Sequence, residues 1–127
     1  MFSPTRSRLP FFIDDLYGGF AKAQGMLRVE QDALGIEFQV KDSITGGLIK
    51  SKLKDIRLTF DQVESVEYKQ NVFVASFRIR LLSLQIAKDI PVSDKGILKL
   101  KIARSERKKA KEIISNINLL LSEHRLG

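Results

Sequence analysis

The chain has 127 residues, 43% of them hydrophobic and 29% charged, a length and balance that suit one folded domain and exclude a disordered polymer. It has no cysteine, which removes disulfides, thiolate zinc sites and a cysteine nucleophile together. The net charge of +7 is local: residues 99–111 carry seven basic side chains against Glu106 alone, leaving 15 basic and 14 acidic residues elsewhere.

Residues 1–19 read as an irregular N-terminal segment, punctuated by Pro4, Pro10, Gly18 and Gly19, and residues 20–127 as a single domain. Basic residues near the start are followed only by Phe11-Phe12-Ile13 before Asp14-Asp15. A secretory signal needs roughly 7–15 apolar residues. The longest uninterrupted apolar run, Val72-Phe73-Val74-Ala75, cannot span a bilayer. A cytoplasmic chain is expected, with a membrane-peripheral one as the variant of that reading.

Strand signals begin after Phe20. Ala21, Ala23, Leu27 and Val29 share one parity, with Gly25 between them marking a bulge or bend. Gln31-Asp32-Ala33 turns into the clearest strand, with Leu34, Ile36, Phe38 and Val40 inward. Ser43 to Gly47 reads as a loop. Parity then slips between Ile49 and Leu53 on one side and Ile56, Leu58 and Phe60 on the other, which predicts a bulge or break near Lys54. Val63–Tyr68 is a strand. Phe73, Ala75, Phe77, Ile79 and Leu81 line the buried face of the next one, Leu84-Gln85-Ile86 is a weak strand, and Leu98, Leu100 and Ile102 face inward from the last. With Ser105 as N-cap, residues 105–122 form a helix that packs Ala110, Ile113, Ile114, Ile117, Leu120 and Leu121, while Leu119 points away.

This order predicts a mainly β fold: about seven antiparallel strands in two bent sheets, capped by one C-terminal helix. Gly25-Met26-Leu27-Arg28, Leu34-Gly35-Ile36-Glu37-Phe38, Ile56-Arg57-Leu58 with Val63-Glu64-Ser65-Val66, and the lysine-flanked last strand resemble the small bacterial pleckstrin-homology-like (PH-like) domains over residues 20–122. The resemblance implies a PH-like barrel that binds or assembles rather than catalyses. It departs from the phosphoinositide-binding members, whose first hairpin loop is basic. Here the first hairpin is read with the tip Glu30-Gln31-Asp32, where a phosphate would meet like charge, so phosphoinositide recognition is not carried over.

Little in the chain suits catalysis. The single histidine, His124, lies in the last four residues and is read as solvated. Gly46-Gly47 followed by Lys50 lacks the spacing of a phosphate loop. No metal, cofactor or catalytic residue is assigned. Phe73 and Phe77 read as core rather than as a base-stacking platform, and the basic region has no aromatic residue, which weighs against nucleic acid.

The basic strip remains: Lys99, Lys101, Arg104, Arg107, Lys108 and Lys111. Cations in a helix's first turn oppose the macrodipole, and such local inconsistency tends to mark function. The expected role is a non-enzymatic protein-interaction or assembly module, using an exposed sheet edge and this strip against an acidic protein or another copy of itself. The alternative is peripheral binding to anionic membranes, for which the sequence offers no exposed apolar anchor beside the charge except Phe11-Phe12-Ile13.

Overall fold

A computed structural model describes residues 7–42, 50–88 and 95–127. The loop read at Ser43–Gly47, Ile49 and the stretch from Pro91 to Asp94 lie outside the described residues. The elements are β1 (Arg8–Leu16), β2 (Ala21–Val29), β3 (Ala33–Asp42), β4 (Lys54–Thr59), β5 (Val63–Gln70), β6 (Ala75–Leu81), a single helical turn α1 (Leu84–Ala87), β7 (Ile97–Ile102) and α2 (Arg107–Leu126).

The fold is mainly β, with seven antiparallel strands and a long C-terminal helix, as the alternation of hydrophobicity requires. The strands form one sheet rather than two, in the order β4-β3-β2-β1-β7-β6-β5. Its two halves are joined at β1 and β7 by one register pair, Phe12 opposite Lys101. Among the described residues no pairing joins β4 to β5, so the sheet is not closed into a barrel. Both halves turn their inner faces to one core, in which Leu27, Phe38, Phe77, Leu100 and Ile117 are fully buried.

Two elements differ from expectation. Residues 8–16 are not irregular. They form a full strand that buries Leu9, Phe11, Ile13 and Leu16. Pro10 falls where β1 has a partner on one side only, the setting in which a residue without N–H is tolerated. Leu84–Ala87 is helical, because the Ser83 hydroxyl accepts from the Ile86 N–H and caps a turn. The number of strands therefore stands at seven with a different membership.

Smaller differences follow from local chemistry. The change of face near Lys54 coincides with the start of β4, and Leu53 before it is exposed. Register runs unbroken through Gly25, so the glycine marks a close approach and not a bulge. Because β1 precedes it, the turn at Glu30–Asp32 is the second hairpin; the first is Tyr17–Gly19. Glu30 and Asp32 are paired with Arg57. In place of a Ser105 cap, a 3-10 turn over Arg104–Glu106 leads into α2. Ala110, Ile113, Ile117 and Leu121 are buried, Ile114 and Leu120 pack partly against the core, and Leu119 is exposed.

Candidate functional site

The six basic residues singled out from sequence fall into two groups that border one turn. Lys99 and Lys101 alternate with the buried Leu98, Leu100 and Ile102, so they project from the outer face of β7. Register places Arg78 of β6 opposite Lys99, and Ser76 opposite both Lys101 and Lys69 of β5. Lys69, Arg78, Lys99 and Lys101, with Val74, line a depression of roughly 450 Å³ on that face. Lys69 and Arg78 are members that sequence reading missed. Their signal, outward parity on β5 and β6, becomes informative only once register sets them beside β7.

The second group lies at the start of α2. The Arg104 guanidinium donates to the Val72 carbonyl at 2.7 Å. Arg107 is partly buried beside β5, and its Nε is enclosed without a hydrogen-bond partner among the described residues. Burial pushes the neighbouring Tyr68 phenol up, with the Arg107 charge acting in the opposite direction. Lys108 and Lys111 are exposed, and neither holds an ion pair among the described residues.

Between the groups stands the β5–β6 turn, where the expectation for Phe73 is overturned. The strand starts at Ala75, and Phe73 is 86% exposed, with Val72 at 70%. Asn71 is the cause. Its side-chain oxygen accepts from the N–H groups of Phe73 and Val74 at 2.8 and 2.7 Å, and its own N–H donates to the Val74 carbonyl. That local turn removes residue 73 from the alternation of β6. Phe77 remains fully buried, edge-on to Tyr68.

Two acids intrude on the surface: Glu67, opposite Arg78 and 3.8 Å from Lys69 Nζ, and Asp14. Lys101 Nζ lies 2.5 Å from Asp14 Oδ1. This hydrogen bond, which outweighs partial desolvation, holds the Asp14 carboxyl below the usual carboxylate range. Stability from a lowered carboxylate is present above its unfolded value, about 3.9, and is lost as pH falls through the folded one. Asp14→Asn should release Lys101 at neutral pH without acid. The variant should therefore lose less Tm than wild type between neutral pH and about pH 3, because the acid-sensitive pair is already gone. Thermal melts of the two proteins across that range check this.

His124 is exposed, as expected, but not without partners. Its Nε2 lies 2.7 Å from Asp61 Oδ1, and its ring is edge-on to Phe60. With the Arg125 guanidinium on the Glu64 carbonyl, it ties the end of α2 to the β4–β5 corner. Among the described residues no group of three or more His, Asp or Glu side chains could hold a metal ion, and no helix is long and apolar enough to cross a membrane.

The sheet edges differ. β5 packs against α2, whereas β4 has no second strand partner among the described residues and carries Lys54, Asp55 and Arg57. Charge on an open edge disfavours strand addition. Compared with protein-family models, curated proteins and solved structures, the chain matches none.

Proposed function

We propose that this chain is a non-enzymatic, PH-like binding module that associates peripherally with anionic membrane surfaces through the β5–β6 turn and the basic residues on either side of it. The strand order and the C-terminal helix support the PH-like part of this reading. The observation that carries the membrane part is the exposed Val72-Phe73 tip, pinned by Asn71 and bordered by Arg104, Lys69, Lys99 and Lys101. It supplies the apolar anchor beside the charge that the sequence lacked.

Magnitudes favour this occupant. Moving Phe73 and Val72 out of water contributes on the order of 3–6 kcal/mol at full burial. Cations without an ion pair among the described residues, such as Lys99 and Lys108, add about 1 kcal/mol each near an anionic leaflet, while Lys69 and Lys101 already share their charge with Glu67 and Asp14. The turn is already ordered by three hydrogen bonds, so little entropy opposes insertion. The protein-partner reading drew on a sheet edge as well as the basic strip, and the β4 edge, without a second strand among the described residues, is charged.

Co-sedimentation with phosphatidylserine-containing and pure phosphatidylcholine vesicles tests the proposal. Wild type should pellet with the anionic vesicles at low salt and leave them at high salt, because the attraction is screened beyond about 10 Å at 0.1 M. Phe73→Asp should weaken binding at least about tenfold with an unchanged Tm, as should Lys101→Glu combined with Lys108→Glu. Equal binding to both vesicle types, or full retention by Phe73→Asp, would defeat the reading.

A further inference from the structure

A second surface lies on the other half of the sheet, and it breaks a pairing rule. Lys22 of β2 stands directly opposite Lys41 of β3, and Lys41 is bridged in turn to Lys50. Like charges directly opposite one another destabilise a sheet. Among the described residues none of the three holds an ion pair, and the Lys41 ammonium reaches only Gln24 Oε1, at 3.4 Å.

A separate kind of strain sits beside this ladder. Tyr17 has φ +51°, a left-handed conformation that a non-glycine side chain adopts at a cost, and Gly18 and Gly19 continue the positive run. The turn so made presents Tyr17 and Phe20, each 64% exposed, next to Lys22. Leu53, three residues beyond Lys50, is 63% exposed. Lys22 acts on the Asp14 carboxyl, but Lys41 and Lys50 hold no ion pair among the described residues, and exposed apolar side chains flank the ladder in sequence.

We infer that the Lys22–Lys41–Lys50 ladder, with Phe20 and Leu53 at its borders, docks an acidic amphipathic helix of a protein partner. Spacing selects the helix. Adjacent strands lie about 4.8 Å apart, so the lysines repeat at about 5 Å. Carboxylates on one face of a helix, at i, i+4 and i+7, repeat at about 5–6 Å, whereas same-face residues of an extended chain repeat at about 6.6 Å. The ladder and the basic residues beside the membrane-facing turn share the outer face of one sheet: register runs from Gln39 through Gln24 and Phe12 to Lys101, and Lys22 and Lys101 both lower the Asp14 carboxyl. The experiment, and not position, therefore separates the two readings.

The test uses a fluorescein-labelled helical peptide with glutamates at i, i+4 and i+7 and leucines flanking them, a scrambled peptide of the same composition, and phosphatidylserine vesicles. The patterned peptide should bind at least about tenfold more tightly than its scramble, by anisotropy. Lys22→Glu with Lys41→Glu should abolish that preference, while Phe73→Asp should leave it intact. Lys41→Glu alone should weaken the preference while raising Tm by about 2–4 °C, since it replaces repulsion with attraction, so its loss of binding cannot be ascribed to unfolding. Equal binding of pattern and scramble, or retention by the double reversal, overturns the inference. So does loss of vesicle binding on the double reversal, which would make the ladder a membrane contact, or a wild-type dimer in sedimentation that the double reversal dissolves.

Discussion

Replacing Gly25 with alanine is expected to lower the melting temperature by about 10 °C or more, a loss of roughly 3 kcal/mol for a domain of this size. The glycine is central on β2, opposite both Phe11 of β1 and Phe38 of β3. A Cβ there would stand 2.0 Å from the Glu37 backbone oxygen and 2.7 Å from Phe11 Cζ. No rotamer relieves a clash with backbone, so β2 and β3 must separate along the ladder that carries Lys22 and Lys41. Gly35 provides the contrast. Its Cβ would meet the Arg28 guanidinium at 2.6 Å, the far end of a flexible side chain whose ion pairs with Asp55 and Glu37 lie partly in solvent. Surface pairs contribute about 0–1 kcal/mol, so Gly35→Ala should change Tm little. Thermal melts of the two variants side by side check the difference, and equal losses would show that Gly25 is not a point of close approach.

Ile117→Asp should abolish cooperative unfolding altogether. Ile117 is fully buried on the face of α2 that also buries Ala110, Ile113 and Leu121. Removing a buried aliphatic side chain costs about 2–5 kcal/mol, and an unpaired carboxylate adds its desolvation. Together these approach the whole stability of a typical domain, about 5–15 kcal/mol. Leu119→Asp, two residues along on the exposed face, should stay within about 0.5 kcal/mol of wild type. Circular dichroism melts separate the two outcomes. A cooperative transition at the wild-type temperature in Ile117→Asp would remove α2 from the core.

Signals held within a few residues were legible in the sequence. The alternation in Leu34-Gly35-Ile36-Glu37-Phe38, the helical stripe from Ala110 to Leu121, the outward lysines of the last strand and the break near Lys54 depend on the period of one segment, and that period survives folding unchanged. Where several weak local preferences competed, tertiary contact chose among them. Arg8–Leu16 combines a proline, an acidic pair and a register shift between Ile13 and Leu16, and it is a strand because β2 pairs along it. Leu84-Gln85-Ile86 alternates like a strand, but the Ser83 cap outweighs a pattern of three residues. Phe73 shares parity with Phe77, yet Asn71 ends that parity at the turn.

The surfaces belong to the same division. Composition placed the charge in residues 99–111, because charge is a sum over the chain. Its neighbours are a property of register, which pairs residues far apart in sequence. Register sets Lys69 and Arg78 beside Lys99 and Lys101, puts Asp14 on Lys101 from 87 residues away, and aligns Lys22, Lys41 and Lys50 across three segments. A one-residue slip would send each of those side chains to the other face, so no local pattern could have specified them.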